Sequence, residues 1–465
     1  MTGVQDTAAH VLELVAAAHR SADAAVTVSR QSLALTRFAE SFIHQNVADE
    51  SDRVVLQVHV DGRTASATTN RTSPDALSAL VTSVLAATAL SPVDTRWPGL
   101  TSPADVRSSG NWDEATAAAV PDTRAVVVRS FVDGAAGLSC AGYCQTMSLQ
   151  AAYANSAGQS VTGRSTQASM DAIARTGSSD GSARTSAIAS SNVDGAALGA
   201  SAAAKARAGE EQVGLEPGRY EVVLEPGAVS DLVAGLFWHG LNGKAVAEGR
   251  SFAQVGEQQF DRAVSLWDDS TDDRATGLPF DAEGTPKRRL DLVTDGVTTG
   301  IPHDRRTAAS CGTETTGHAV EGGEQWGAFP ADVRLAAGSA EDTVAEATED
   351  TVAEATEDLV ADVERGLLIS DFWYTRALDP KTLVYTGLTR NGAWLIEDGR
   401  LGAAVSTLRF TQSYVDALRP GAVLGVSRAT ETPPTILAPV AWGSGSLVVP
   451  SLRLASWNIT GGAGG

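Results

Sequence analysis

A chain of 465 residues can hold two to three domains, and its 43% hydrophobic and 20% charged residues exclude a disordered or fibrous protein. The formal charge of −21, with only four lysines and no block of arginines, excludes a nucleic-acid binder built on a basic patch. No uncharged apolar run reaches the roughly 18 residues of a membrane span, so a cytoplasmic location is expected.

Over about residues 6–19 apolar positions recur at helical spacing (Val11, Leu12, Val15, Ala18). Glu13 interrupts them and no basic segment precedes them, which reads as an amphipathic helix and not as a signal peptide. Extended segments follow at 24–30, 33–47 and 54–70. In the last, Val54, Leu56, Val58 and Val60 alternate with Val55, Gln57, His59 and Asp61, as in a half-buried strand. Ser73-Pro74-Asp75 then opens a helix to about Ala87, with proline placed where its missing N–H costs nothing. Strand character returns in RAVVVRSFV (124–132) and in a run to about Ser169, whereas the small, polar tract 174–194 is too poor in apolar residues for a core element. A helix at 198–211 leads into the linker VGLEPGR.

That linker places a boundary near residue 215, between an N-terminal domain (1–215) and a C-terminal domain (216–465). The second half begins with the strand YEVVLEP and a helix over about 228–242. Short strands bounded by Gly, Pro and Asp follow, down to SLVVPSLRLASWNIT. The expected fold is α+β: an N-terminal α/β domain with a long curved antiparallel sheet, and a C-terminal β-rich, partly barrel-like domain. An acidic repeat interrupts the latter at about 341–358, where EDTVAEAT (341–348) is copied at 349–356. Its period of eight turns a helix by about 800°, so Val344, Val352 and Val360 drift about 80° per copy and form no steady stripe. A solvated acidic helix is expected there.

Cys140 and Cys144 lie four apart in a strand-like run, roughly 13 Å, which is too far for a disulfide. Cys311 reads as a small buried apolar group. Phosphate-loop, nucleophile-elbow and CxxC signatures are absent. The acidic cluster Asp268, Asp269, Asp272 and Asp273 fits no EF-hand spacing and reads as a solvated turn.

Several segments, in matching order along nearly the whole chain, carry a resemblance: TRFAESFIHQNV (36–47), GLPFDAEGTPKRRLDLVTDGV with DRRTAASCGTETTGHA inside 277–320, and TLVYTGLTRNGAWLIEDGRL (382–401) followed by RFTQSYVDAL. Together they resemble the TldD/PmbA (TldD/TldE) peptidase family, whose members were also named modulators of DNA gyrase. The active subunit of that family carries an HExxxH run where this chain has LEPGRYEVVLEPGAVSDLVAGLFWHGLNGKAVAEGRSF (215–252). A catalytic zinc needs about three protein ligands and a base for its water, and here His239 is followed by Gly240. Leu236, Phe237, Trp238 and Leu241 read instead as an apolar packing face, with Asn242 and Gly243 ending the helix.

The resemblance therefore implies a TldE/PmbA-like subunit with no metal site or catalytic residue of its own. It would pair with a TldD-like, HExxxH-bearing chain that holds the zinc, and the two would enclose a chamber for unfolded or extended peptide. His44, Gln45, Asn46, His239, Thr316 and His318 are the residues expected to contact peptide or partner. Nucleic acid and membrane are not expected as partners. Two alternatives stay open: a self-sufficient peptidase drawing ligands from His239, His303, His318 and Cys311, and a regulatory protein-binding module.

Overall fold

The computed structural model describes residues 3–107, 110–338, 352–353, 355–434 and 445–462. Its architecture is mixed α+β and is organised by two sheets.

The first sheet is wholly antiparallel. It comprises β1 (Asp23–Ala39), β2 (Phe42–Val60), β3 (Arg63–Thr69), β4 (Ser139–Asn155), β5 (Ser160–Arg175) and β6 (Asp180–Ala187), in the order β3-β2-β1-β4-β5-β6. Tight turns set the registers. At the β2–β3 turn Asp61 and Gly62 have φ of 49° and 74°, the left-handed pair that a two-residue hairpin requires. The β1–β2 segments expected as separate extended runs are two long, continuous strands.

Strand alternation divides the two faces of this sheet. Val26, Val28, Val54, Leu56 and Val58 turn toward the helices Val4–Ala18 and Pro74–Leu90, all five side chains being buried. Farther along, Phe38, Cys140, Cys144 and Met170 meet the helices Pro121–Gly134 and Gly195–Ala208. On the opposite face Leu149, Ala151, Tyr153 and Val161 pack against Leu278 and Phe280 of the second half.

Two expectations are corrected here. Residues 124–132 are helical, within Pro121–Gly134, because Val128, Phe131 and Ala135 bury one helical stripe that outweighs the strand preference of the valine run. The small, polar tract at 174–194 supplies the edge strand β6 and Asp194, whose side chain caps the helix Gly195–Ala208. Small residues serve this packing: a Cβ on Gly195 or Gly199 would run into the carbonyl oxygens of Val127 and Phe131, so only glycine lets the two helices approach so closely.

Among the described residues the second sheet contains 13 strands, and it branches. Five of them, Gly218–Leu224, Arg365–Asp379, Val384–Glu397, Leu408–Ser413 and Ser446–Gly462, pair in a closed circuit. This is the barrel-like character expected, realised as a ring with further strands attached and not as a regular barrel. Not every pair is antiparallel, since Gly218–Leu224 runs parallel to Arg365–Asp379. An aromatic group fills the ring's core: Trp457 stacks on Phe372 at 5.0 Å and meets Phe410 at 5.3 Å and Tyr414 at 5.9 Å.

Most of the acidic repeat lies outside the described residues. Of its end, Val352–Ala353 pair with Val426 and Ser427, and Thr356–Ala361 is a short helix that buries Leu359 and Val360. Cys311, expected to be buried, is exposed at the end of the helix Arg305–Cys311.

Candidate functional site

The helix Pro226–His239 occupies the position of greatest interest. Glu225 enters it in an extended conformation and Pro226 fixes φ at its first turn. Val229, Leu232, Val233, Leu236 and Phe237 are buried against the five-strand ring. The helix ends at Gly240, where a side chain would collide with the ring of Phe252. Asn242 does not end this helix, as expected, but starts the next one. Its Oδ1 accepts from the N–H groups of Lys244 (3.0 Å) and Ala245 (3.3 Å), while its Nδ2 donates to the carbonyls of Trp326 and Ala328, both at 3.1 Å.

Beside this helix lies a cleft of about 400 Å³, lined by Asp231, Ala234, Gly235, Trp238, His239 and Tyr385 among others. His239 is half-buried at its mouth, and burial, with the charge of Arg250 adding to it, lowers the imidazole's pKa, so that the ring is neutral at pH 7. Asp231 accepts hydrogen bonds from the hydroxyls of Tyr414 and Thr375, each at 2.7 Å. Burial raises its pKa, against the effect of those two bonds. The Tyr385 and Tyr414 rings stack at 4.4 Å, and the Tyr385 hydroxyl donates to the carbonyl of Gly235 (3.0 Å). As a result Gly235 is roofed over: a Cβ there would lie 2.7 Å from the Tyr414 ring and 3.3 Å from Tyr385.

The other expected contact residues do not gather at this cleft. His44, Gln45 and Asn46 are exposed on β2 of the first sheet, where the Thr36 hydroxyl donates to Asn46 Oδ1 at 2.6 Å. Thr316 is half-buried, and its hydroxyl oxygen accepts from the backbone N–H of His303 at 2.7 Å. His318 is 1% exposed and closed off on both sides, with Nε2 3.0 Å from Asp268 Oδ2 and Nδ1 2.9 Å from Thr316 Oγ1. It is therefore an interior residue of this chain.

Asp268, read from sequence as part of a solvated turn, is fully buried; its Oδ1 accepts from the N–H groups of Ala331 and Asp332, both at 2.7 Å. Burial alone would raise its pKa, but the neighbouring His318 brings it below the ordinary carboxylate value. The spacing of 50 residues between Asp268 and His318 left no local signal of the pair.

Near this pair Glu283 accepts from the backbone N–H of Arg305 at 3.0 Å. Burial, reinforced by the charge of Asp281, pushes its carboxyl up to about 8, so it is protonated at neutral pH. An acid with a native pKa above its unfolded value of about 4.3 binds more protons when folded, so its stabilising contribution is full below that value and is lost as pH rises through the native one. Glu283→Gln is expected to flatten the decline in stability between about pH 4 and 8, the window set by those two values; urea midpoints of both proteins at the two ends of that range check this.

A family model described as the PmbA/TldA metallopeptidase C-terminal domain matches residues 217–461, more than half of the chain. The chain belongs to the PmbA/TldD family. A curated relative, a metalloprotease of Methanothermobacter thermautotrophicus, is 29% identical over 121 residues, and the match spans only 27% of that protein and 24% of this one. Solved structures share the fold over almost the full length. TldE of Thermococcus kodakarensis aligns with a TM-score of 0.83 at 16% identity, covering 98% of this chain and 100% of that one. A proposed modulator of DNA gyrase from Thermotoga maritima gives 0.81 at 18% identity, covering 97% and 100%. Another from Bacteroides thetaiotaomicron gives 0.80 at 19% identity, covering 99% and 100%.

The PmbA/TldD resemblance raises the question of a zinc, and the residues of the helix do not fit one. Laying HExxxH along the helix with its second histidine on His239 puts the first on Ala234 and the glutamate on Gly235. Neither position bears a ligand or a base, and at Gly235 the tyrosine stack leaves no space for either. Among the described residues no three His, Cys, Asp or Glu side chains converge to hold a metal. The more distant candidates have other surroundings: His303 Nδ1 lies 3.2 Å from the Thr307 hydroxyl, His318 is engaged by Asp268, and Cys311 is on the surface.

Proposed function

We propose that this chain is the non-catalytic, TldE/PmbA-like subunit of a heterodimeric zinc metallopeptidase that cleaves unfolded or extended peptides. A TldD-like partner bearing HExxxH holds the zinc, and this chain closes the chamber and offers one wall of it. The observation that carries this reading is Gly235. The position where a motif glutamate would take a proton from metal-bound water is a glycine covered by Tyr414 and Tyr385. The half-buried, neutral His239 and the polar cleft beside it remain available to a bound peptide or to the partner.

Co-expression with an HExxxH-bearing relative, followed by casein cleavage and zinc analysis, tests the proposal. The expected outcome is a complex with zinc near one per heterodimer and hydrolysis that neither subunit achieves alone. Near-stoichiometric zinc and cleavage from the present chain by itself would overturn it.

A further inference from the structure

A cavity of about 270 Å³ lies between the first sheet and the second half of the chain. Its sheet side carries Thr27, which stands directly across from Tyr153, and Gln57, directly across from Ser66. Val26, Val28, Leu56 and Val58 turn to the helix side, so alternation puts Thr27 and Gln57 on the face toward the second half. Trp97 also lines the cavity, held by its stack on the His59 ring with centroids 4.5 Å apart.

The second half contributes Glu283 and Asp304, and each carboxyl group is engaged through one oxygen only. Glu283 Oε2 takes the N–H of Arg305, and Asp304 Oδ1 accepts from the N–H and the hydroxyl of Thr307, at 2.6 and 2.7 Å. The other two oxygens accept no hydrogen bond among the described residues, although Asp304 is only 6% exposed. The two arginines of the lining pair elsewhere. Arg305 Nη2 donates to the carbonyls of Pro98 and Leu100, both at 3.0 Å, and Arg306 grips both oxygens of Asp94. The hydroxyl of Thr27, a residue 9% exposed, likewise has no partner among the described residues.

A carboxylate taken out of water without a counter-ion is costly. Burial, reinforced by the charge of Asp281, is why Glu283 keeps its proton at neutral pH. The cavity thus sets two unmatched acid groups beside aromatic walls. A protonated amine brings the missing charge and three N–H donors, and it is attracted to aromatic rings. A metal ion is a poorer match, since among the described residues no three His, Cys, Asp or Glu side chains converge to hold one.

We infer that this cavity binds a small primary amine, its ammonium group against Glu283 and Asp304 and its apolar body against Trp97, Tyr153 and Leu100. The volume equals that of roughly nine water molecules in the liquid, which suits a guest of about nine non-hydrogen atoms. Binding releases the proton of Glu283 to solvent, and the ammonium replaces it as the counter-charge. The site stands apart from the proposed peptidase role, because no residue lines both this cavity and the His239 cleft.

The test is calorimetric titration of the isolated chain with 2-phenylethylamine, beside 2-phenylethanol, an uncharged molecule of the same shape. The amine is expected to bind at least about tenfold more tightly. Its affinity should rise about tenfold between about pH 6.5 and 8.5, as Glu283 gives up its proton more readily, and Glu283→Gln should abolish that rise. The charged and titratable groups facing Glu283 are Asp281, Asp304 and Arg305 from its own half and Tyr153 from β4. All four remain in that variant, so the comparison isolates Glu283. Ser66→Trp, at an exposed position of β3 that lines the cavity, is expected to block binding without altering the melting curve. Equal affinity for amine and alcohol, binding undiminished by Ser66→Trp, a pH dependence that survives Glu283→Gln, or no binding at millimolar amine would each overturn the inference.

Discussion

Replacing Asp268 with alanine is expected to destabilise the protein by about 3–5 kcal/mol, the range seen when one partner of a buried ionic pair is removed. The carboxylate serves three donors, two of them on the buried residues His318 and Asp332 and the third on the partly buried Ala331. Its Oδ2 meets His318, and its Oδ1 holds the N–H groups of Ala331 and Asp332 where the strand Asp332–Leu335 begins. Deleting it orphans all three at once, and each buried unpaired donor costs about 1–3 kcal/mol. Urea unfolding checks the value. The paired variant Asp268→Leu with His318→Phe should recover only part of the loss, because two apolar residues satisfy each other but leave both backbone donors unpaired. Full recovery would show that the pair matters through packing alone.

Installing the missing motif is the second large effect. Ala234→His with Gly235→Glu writes HExxxH into the helix, yet no hydrolysis and no zinc above background are expected. A glutamate at 235 must push aside the Tyr414 and Tyr385 rings, whose stacking and hydrogen bonds to Asp231 and the Gly235 carbonyl fix them in place. Overpacking of this kind destabilises by about 1–3 kcal/mol, and a buried carboxylate beside Asp231 adds to that. A drop in melting temperature together with metal analysis of the purified variant gives the answer. One zinc per chain and unaided peptide cleavage would mean that the vacancy at Gly235 is not what separates this chain from an active subunit.

Much of the fold was legible because its long strands alternate cleanly. Val54, Leu56 and Val58 announced both the strand and its buried face. Residues 124–132 misled because valines favour strands locally, whereas burial of Val128 and Phe131 at helical spacing decided the outcome. β6 was invisible for the opposite reason. Its glycine, serine and alanine residues carry little hydrophobic signal, and they are small so that the helix Gly195–Ala208 can settle on them: a Cβ on Gly181 would strike the carbonyl of Ala202. At the site, the loss of HExxxH was read from His239 being followed by Gly240, but the tyrosines that cover Gly235 come from about 150 and 180 positions later and gave no local sign. The Asp268–His318 pair escaped in the same way, since a run of four nearby aspartates looks solvated until a distant histidine is folded against one of them.

The closed strand circuit also constrains how the protein is made. The segment Ser446–Gly462 begins 222 residues after the end of the earliest strand it joins, from Leu224 to Ser446, and it zips to Gly218–Leu224 and Leu408–Ser413 to seal the loop. At translation speeds of about 5–20 residues per second, the earliest of these waits roughly 10–45 seconds for its final neighbour to leave the ribosome. Throughout that interval an unsatisfied β-edge is displayed to other nascent chains. Holdase chaperones are therefore expected to engage the growing polypeptide between those two events and to let go once the last strand docks.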